Sequence, residues 1–228
     1  ATACNEKVNI VGSIGHPVSE VEVAIDTDSG EPGAIGEILV RGPNVMMGYY
    51  KNPEATADVM MPDGWFRTGD MGYLDRHHCI HITGRVKSMI VLANGKKAFP
   101  EEIETVLNRE AGIKESMAWG DKNPFNTVDI CARILPDRDR LAELGIDPEN
   151  DAAVSAHLEE RIKAANALMP DYRAVKYFVY SYEDMIKTTT LKIKRPAETE
   201  RILGKVRGAG LIMRSANGRN LDRLGTTG

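Results

Sequence analysis

The chain has 228 residues, 42% of them hydrophobic and 27% charged, with a formal net charge of −4. That is enough apolar material for one large domain or two small ones, and it lacks the basic face of a phosphate-backbone binder, so no nucleic-acid partner is expected. No apolar run approaches the roughly 20 residues of a membrane helix; Asn5, Glu6 and Lys7 interrupt any signal-peptide core, and the widely spaced Cys4, Cys79 and Cys131 form no disulfide framework and suit a reducing compartment.

The first 83 residues read as strands and turns. Val21–Asp26 alternates in polarity and Glu37–Arg41 is a second strand, with Gly30, Pro32, Gly33 and Gly36 punctuating the link. Asn52 followed by Pro53 and Glu54 predicts a short capped helix. Residues 64–67, 72–75 and 79–83 read as further strands separated by turns. After Gly84 the texture changes. Met89–Leu92 is a short apolar strand and Asn94-Gly95 a turn pair. Pro100 opens a helix with Glu101 and Glu102 in its first turn, Ile103, Val106 and Leu107 on one face and Gly112 beyond its end. Glu115–Trp119 and Val128–Leu135 read as strands. Val154, Leu158, Ile162 and Ala165 share one face of a helix from about Ala152 to Leu168, which Pro170 closes. Val175–Tyr180 is a strand and Pro196–Val206 a last helix. The tail is rich in Gly, Arg and Asn, which predicts mobility. The expected class is α+β, two helices covering a few strands, with a boundary near Gly84–Lys87.

Three segments concentrate polar residues at turns: residues 65–70, residues 83–104 and residues 187–195. Each has a bland reading, as a solvated turn or a charged strand edge. Their order is more informative. Gly36-Glu-Ile-Leu-Val-Arg-Gly-Pro-Asn-Val-Met-Met-Gly-Tyr-Tyr50, Asp63-Gly-Trp-Phe-Arg-Thr-Gly-Asp70, Gly84-Arg-Val-Lys-Ser-Met-Ile-Val-Leu-Ala-Asn-Gly-Lys-Lys97 and Lys187–Arg195 match, in sequence, the later motifs of one family. The chain resembles the adenylate-forming superfamily of acyl-CoA synthetases, firefly-luciferase-like enzymes and peptide-synthetase adenylation domains over about residues 10 to 200. Residues 90–97 with Phe99-Pro-Glu-Glu-Ile-Glu104 look most like bacterial long-chain fatty-acid–CoA ligases.

The resemblance implies a β-barrel-like subdomain over residues 1–84, belonging to a large amino-terminal domain whose remainder is missing. It also implies a compact α+β lid over 85–206, and leaves a mobile tail over 207–228. The implied reaction joins a fatty acid to CoA through an acyl-adenylate, with ATP and Mg2+ consumed in the first step; the lid swings between steps about Lys87. Asp70 would take both ribose hydroxyls on its two oxygens. Arg85 would reach the ribose or phosphates. Lys192 would place a mobile positive charge between carboxylate and α-phosphate. The Asn94-Gly95 turn would face the site in the thioester step, where glycine leaves room for pantetheine.

Two positions depart from the family pattern: Ile186 stands where proline is usual, and Leu191, bulkier and less free, where glycine is usual. The family's phosphate loop and acid pocket lie upstream of its matching motifs, so the chain alone is expected to lack ligase activity. A cytoplasmic location is expected, with peripheral membrane association left open. Two rivals stand beside the CoA ligase: a fatty-acyl-AMP ligase feeding a carrier protein, and a non-catalytic module that kept the fold. His77, Cys79 and His81 would share a strand face and could bind zinc, but an ordinary hairpin turn explains them better, and no metal site is assigned. Trp65 and Phe66 read as packing residues, and Lys194 and Arg195 as either ligand contacts or a solvated edge.

Overall fold

The computed structural model describes residues 2–4, 10–27, 31, 33–123 and 126–225. Asn5, Glu6, Lys7, Gly30, Pro32 and the last three residues of the expected tail lie outside these. The chain divides into two compact units, Ala1–Lys87 and Ser88–Gly228. Among the described residues, no helix is long and apolar enough to cross a membrane.

In the first unit, β1 (Thr2–Ala3) pairs with β2 (His16–Pro17). Then β3 (Glu22–Asp26), β4 (Gly36–Arg41), β5 (Phe66–Leu74) and β6 (Ile80–Arg85) form an antiparallel sheet in that order. Val21, Ile38, Val40 and Ile80 make its small core. The helix α1 (Pro53–Val59) begins as expected: the Asn52 side chain accepts from the Ala55 N–H at 3.0 Å. The expected barrel is not closed among the described residues. Closure needs the two edge strands to pair, and β6 is instead met by the segment before β2, where Ile14 N–H donates to the Ile80 carbonyl and Ile80 N–H to that of Gly15.

The second unit opens with a hairpin of β7 (Ile90–Val91) and β8 (Lys97–Ala98), followed by α2 (Pro100–Leu107). Next come β9 (Ile113–Lys122), β10 (Val128–Pro136), α3 (Arg138–Glu143), α4 (Asp151–Ala167), β11 (Tyr177–Tyr180), α5 (Arg195–Gly208), α6 (Met213–Ala216) and β12 (Arg219–Asn220). Its sheet runs β12-β11-β10-β9, with β9 antiparallel to β10 and the other pairs parallel. Side chains alternate across this sheet. Ala118, Ile130, Ala132, Ile134 and Phe178 face the α2 and α4 residues Ile103, Leu107, Leu158 and Ile162. Met117, Trp119, Cys131, Leu135 and Val179 join Ile202, Val206 and Met213 on the other face. The sheet is thus covered on both sides, so its strands read as near-continuous apolar runs.

The expected mobile tail is packed instead. Met213, Ala216 and Leu221 are buried in the second core, Asn217 accepts from the Phe178 N–H at 2.9 Å, and Asp222 accepts from the Ser181 hydroxyl and the Tyr182 N–H. Composition misleads here because three well-placed apolar residues anchor an otherwise polar segment. Truncation after Gly208 should therefore destabilise the chain by about 4 kcal/mol, from the lost burial of Met213 and Leu221, measured by urea unfolding. A loosely attached tail would cost nothing measurable.

Candidate functional site: a cross-strand pair and two matching turns

The first unit brings Asp70 and Arg85 together. They are direct cross-strand partners on β5 and β6, and Arg85 Nε lies 2.8 Å from Asp70 Oδ1, with the side chains 55% and 26% exposed. A carboxylate so accessible can exchange the guanidinium for another polar partner. Its placement comes from a bulge. The β4–β5 register jumps from Glu37↔Met71 to Leu39↔Arg67, and Gly69 turns through φ +71°, a conformation glycine adopts without cost. Residues 66–74 therefore form one bulged strand, not the two strands and a turn expected from Thr-Gly-Asp. Glu37 steadies the bulge: one oxygen accepts the Gly69 N–H at 3.0 Å and the other pairs with Arg67 at 2.6 Å. Trp65 packs under Arg41, whose guanidinium carbon lies 4.6 Å from the ring centroid.

The histidine segment is a tight turn. His81 bonds Asp75 at 3.1 Å and stacks on Tyr73, Cys79 is buried, and His77 and His78 are exposed. Burial pushes the Asp75 carboxyl up, but hydrogen bonds from His81 and from the Cys79 and His77 N–H groups outweigh it and bring it down to about 2. No group of three or more His, Cys, Asp or Glu among the described residues is arranged to hold a metal ion.

Lys87 is exposed, in a single 3-10 turn over Val86–Ser88, and is the last residue of the first unit.

In the second unit, the Asn94-Gly95 and Lys192 segments have the same local construction. In the first, Leu92 N–H donates to the Lys96 carbonyl and Gly95 N–H to that of Leu92; in the second, Thr188 N–H donates to the Lys192 carbonyl and Leu191 N–H to that of Thr188. In each a side-chain oxygen accepts the N–H of the lysine that ends the turn: Asn94 for Lys96 at 3.0 Å, Thr188 for Lys192 at 3.1 Å. The bridge Lys187↔Ile193 closes the second into a small hairpin. Lys192 is exposed, with no ion pair among the described residues.

This turn requires a positive φ at its fourth residue, and Gly95 (+76°) and Leu191 (+61°) supply it. Two other loops repeat the pattern with His78 (+57°) and Asn126 (+58°), residue types that tolerate the left-handed region. Leucine does not, and a Cβ there costs about 1–2 kcal/mol. Leu191 is also 78% exposed, so no packing offsets the strain. Leu191→Gly should therefore raise the chain's unfolding free energy by roughly 1 kcal/mol, read from the urea midpoint at constant slope. An unchanged or lower midpoint would mean that the leucine is not strained. Around Gly95 an added Cβ would meet nothing within 4 Å, so that surface is open.

Arg195, left open between ligand contact and solvated edge, is not a solvated edge. It opens α5 and is bound by Glu104 and Glu101 of α2. Glu104, Glu198 and Arg133 also emerge as supports of the Lys192 hairpin, with no local signal in the sequence.

The family described as AMP-binding enzyme matches residues 1–50. A long-chain-fatty-acid–CoA ligase of Mycobacterium tuberculosis is 30% identical over 213 residues, 86% of this chain and 33% of its own. A chloroplastic long-chain-fatty-acid–[acyl-carrier-protein] ligase of Arabidopsis thaliana is 36% identical over 156 residues, 62% of this chain and 20% of its own. The solved o-succinylbenzoate CoA synthetase of Bacillus subtilis, in complex with its acyl-adenylate intermediate, superposes with a TM-score of 0.65 at 25% identity, covering 81% of this chain and 35% of that one. The chain spans a third or less of these two curated relatives' own length. With the motifs in order, the two-unit architecture and these likenesses together, the chain belongs to the adenylate-forming, AMP-binding superfamily.

Proposed function

We propose that the chain is the lid-bearing part of an ATP-dependent fatty-acid–CoA ligase. The observation that carries this reading is Lys192: an exposed ammonium, without an ion pair among the described residues, on a hairpin whose backbone is fixed by four cross-turn hydrogen bonds. In the first step a fatty-acid carboxylate attacks the α-phosphate of ATP and pyrophosphate leaves. Two anions must approach each other, and a positioned cation lowers that barrier. In the second step the CoA thiol attacks the acyl carbonyl and AMP leaves. There AMP is the leaving group, and the swing of the lid between steps would have carried Lys192 away from its phosphate. Asp70 would accept the ribose hydroxyls after releasing Arg85, and the open surface at Asn94-Gly95 would admit pantetheine. Lys87 would be the pivot between steps. Mg2+ would enter with ATP as part of the nucleotide substrate.

The carrier-protein acceptor is the second reading, favoured by the likeness to the Arabidopsis enzyme. The test is a comparison of kcat/KM for acids from acetate to palmitate in the full-length enzyme, with CoA or a phosphopantetheinylated carrier as acceptor. The reading expects preference for long acids and for CoA. Preference for a short acid or for the carrier would replace the substrate or the acceptor respectively.

A further inference from the structure

Lys192 sits on a hairpin that buries little of its own surface. Thr189, Thr190 and Leu191 are exposed, and Thr188 and Ile193 only half-buried. Turn hydrogen bonds fix its internal shape but not its position on the unit. The position is set at the two ends. At the first end, Ile186 N–H donates to Glu198 Oε2 at 2.9 Å, and Lys187 pairs with Glu115 at 2.7 Å. At the other end, three residues after Lys192, Arg195 sends one guanidinium nitrogen to Glu104 Oε2 at 2.7 Å and the other to Glu104 Oε1. It also reaches Glu101 Oε1 at 3.2 Å and the Ala118 carbonyl at 3.3 Å. Glu104, only 9% exposed, completes the junction by accepting the Ala118 N–H at 2.7 Å.

We infer that Arg195 and Glu104 are positioning residues for Lys192: a two-pronged clamp between the hairpin, α2 and β9 that fixes where the ammonium stands in the adenylation step. The inference rests on the proposed role of Lys192. Three features support a positioning role over a purely structural one. The bidentate fork fixes direction as well as distance, which a lysine in its place could not do. The clamp joins the hairpin to elements that are secured without it, since Ile103 and Leu107 of α2 and Ala118 of β9 are already in the core. And its arginine lies on the Lys192 side: among the described residues the Asn94-Gly95 turn, carried by β7 and β8 with Ile90 and Ala98 buried, makes no bond to Arg195. Loosening the clamp should therefore affect the first half-reaction selectively.

The test uses the full-length enzyme with Arg195→Lys, Glu104→Gln and, as reference, Lys192→Ala. Each is assayed for acid-dependent pyrophosphate release without CoA, and for thioester formation from pre-made acyl-adenylate and CoA. Misplacement of about 1 Å can cost on the order of 100-fold. Arg195→Lys and Glu104→Gln are accordingly expected to lower kcat for adenylation by ~10–100-fold, with KM for ATP and the thioester rate within about threefold of wild type. Equal losses in both half-reactions, loss of folding in both variants, or no loss in either would overturn the clamp, because each makes the pair a fold element or a bystander. If Lys192→Ala itself leaves adenylation intact, the parent reading fails. If Lys192→Ala abolishes adenylation while Arg195→Lys and Glu104→Gln are silent, only the clamp fails.

Discussion

Replacing Lys192 by alanine in the full-length enzyme is expected to lower the rate of acyl-adenylate formation by about 100- to 1000-fold, the scale for removing one preorganised charge or donor from a transition state. Thioester formation from pre-made acyl-adenylate is expected to stay within a few-fold of wild type. The split follows from the proposed swing of the lid: Lys192 would stand at the α-phosphate in the first step and would have left it when AMP departs in the second. The side chain is exposed and unpaired among the described residues, so its removal disturbs no packing, and the chain's unfolding midpoint should not move. Rapid-quench measurement of each half-reaction checks both parts. Equal loss in both would remove Lys192 from the adenylation step.

The second large effect is on stability. Arg133 and Glu198 are 1% and 0% exposed, and they pair across the sheet face that α5 covers. Arg133 also donates to the Ser181 hydroxyl at 3.1 Å, and Arg201 holds Glu198 at 2.9 Å. Burial pushes the Arg133 guanidinium down, with Glu198 acting against it. Glu198→Leu would leave the Arg133 cation buried without its carboxylate, and would also strip the acceptor from the Ile186 N–H. Breaking such a pair from one side costs about 3–5 kcal/mol. Arg133→Met with Glu198→Leu removes both charges and should restore much of that loss, since an apolar pair of similar volume often matches a buried ion pair. Urea unfolding of the single and the double variant checks this. A single-variant cost below about 1 kcal/mol, the scale of a surface pair, would contradict the account.

Much of this architecture is legible in the sequence because it is local. Val154, Leu158, Ile162 and Ala165 repeat at helical spacing and are the buried residues of α4. Pro100 with two following acids opens α2 as expected, and Asn52 caps α1. The chemistry-bearing turns are visible because glycine, asparagine and threonine mark them. What is not legible is long-range or conformational. Arg195 and Glu104 lie 91 residues apart, and nothing near either announces the other. Thr68-Gly69-Asp70 has the composition of a turn, and only its partner strand makes it a bulge. Leu191 looks merely bulky in the sequence; its positive φ appears only once the hairpin hydrogen bonds are in place. The tail's polar composition conceals Met213 and Leu221, whose burial depends on α5 and β11 being there to receive them.

The central claim is that the enzyme carrying this chain activates a carboxylic acid as its adenylate. The most direct measurement is to incubate the full-length enzyme with ATP, Mg2+ and a long-chain fatty acid in the absence of any thiol, and to identify the products by mass. The expected result is acyl-AMP with an equal amount of pyrophosphate, with AMP and acyl-CoA appearing only after CoA is added. ADP and phosphate as the nucleotide products, or no acid-dependent turnover with any carboxylic acid, would contradict it.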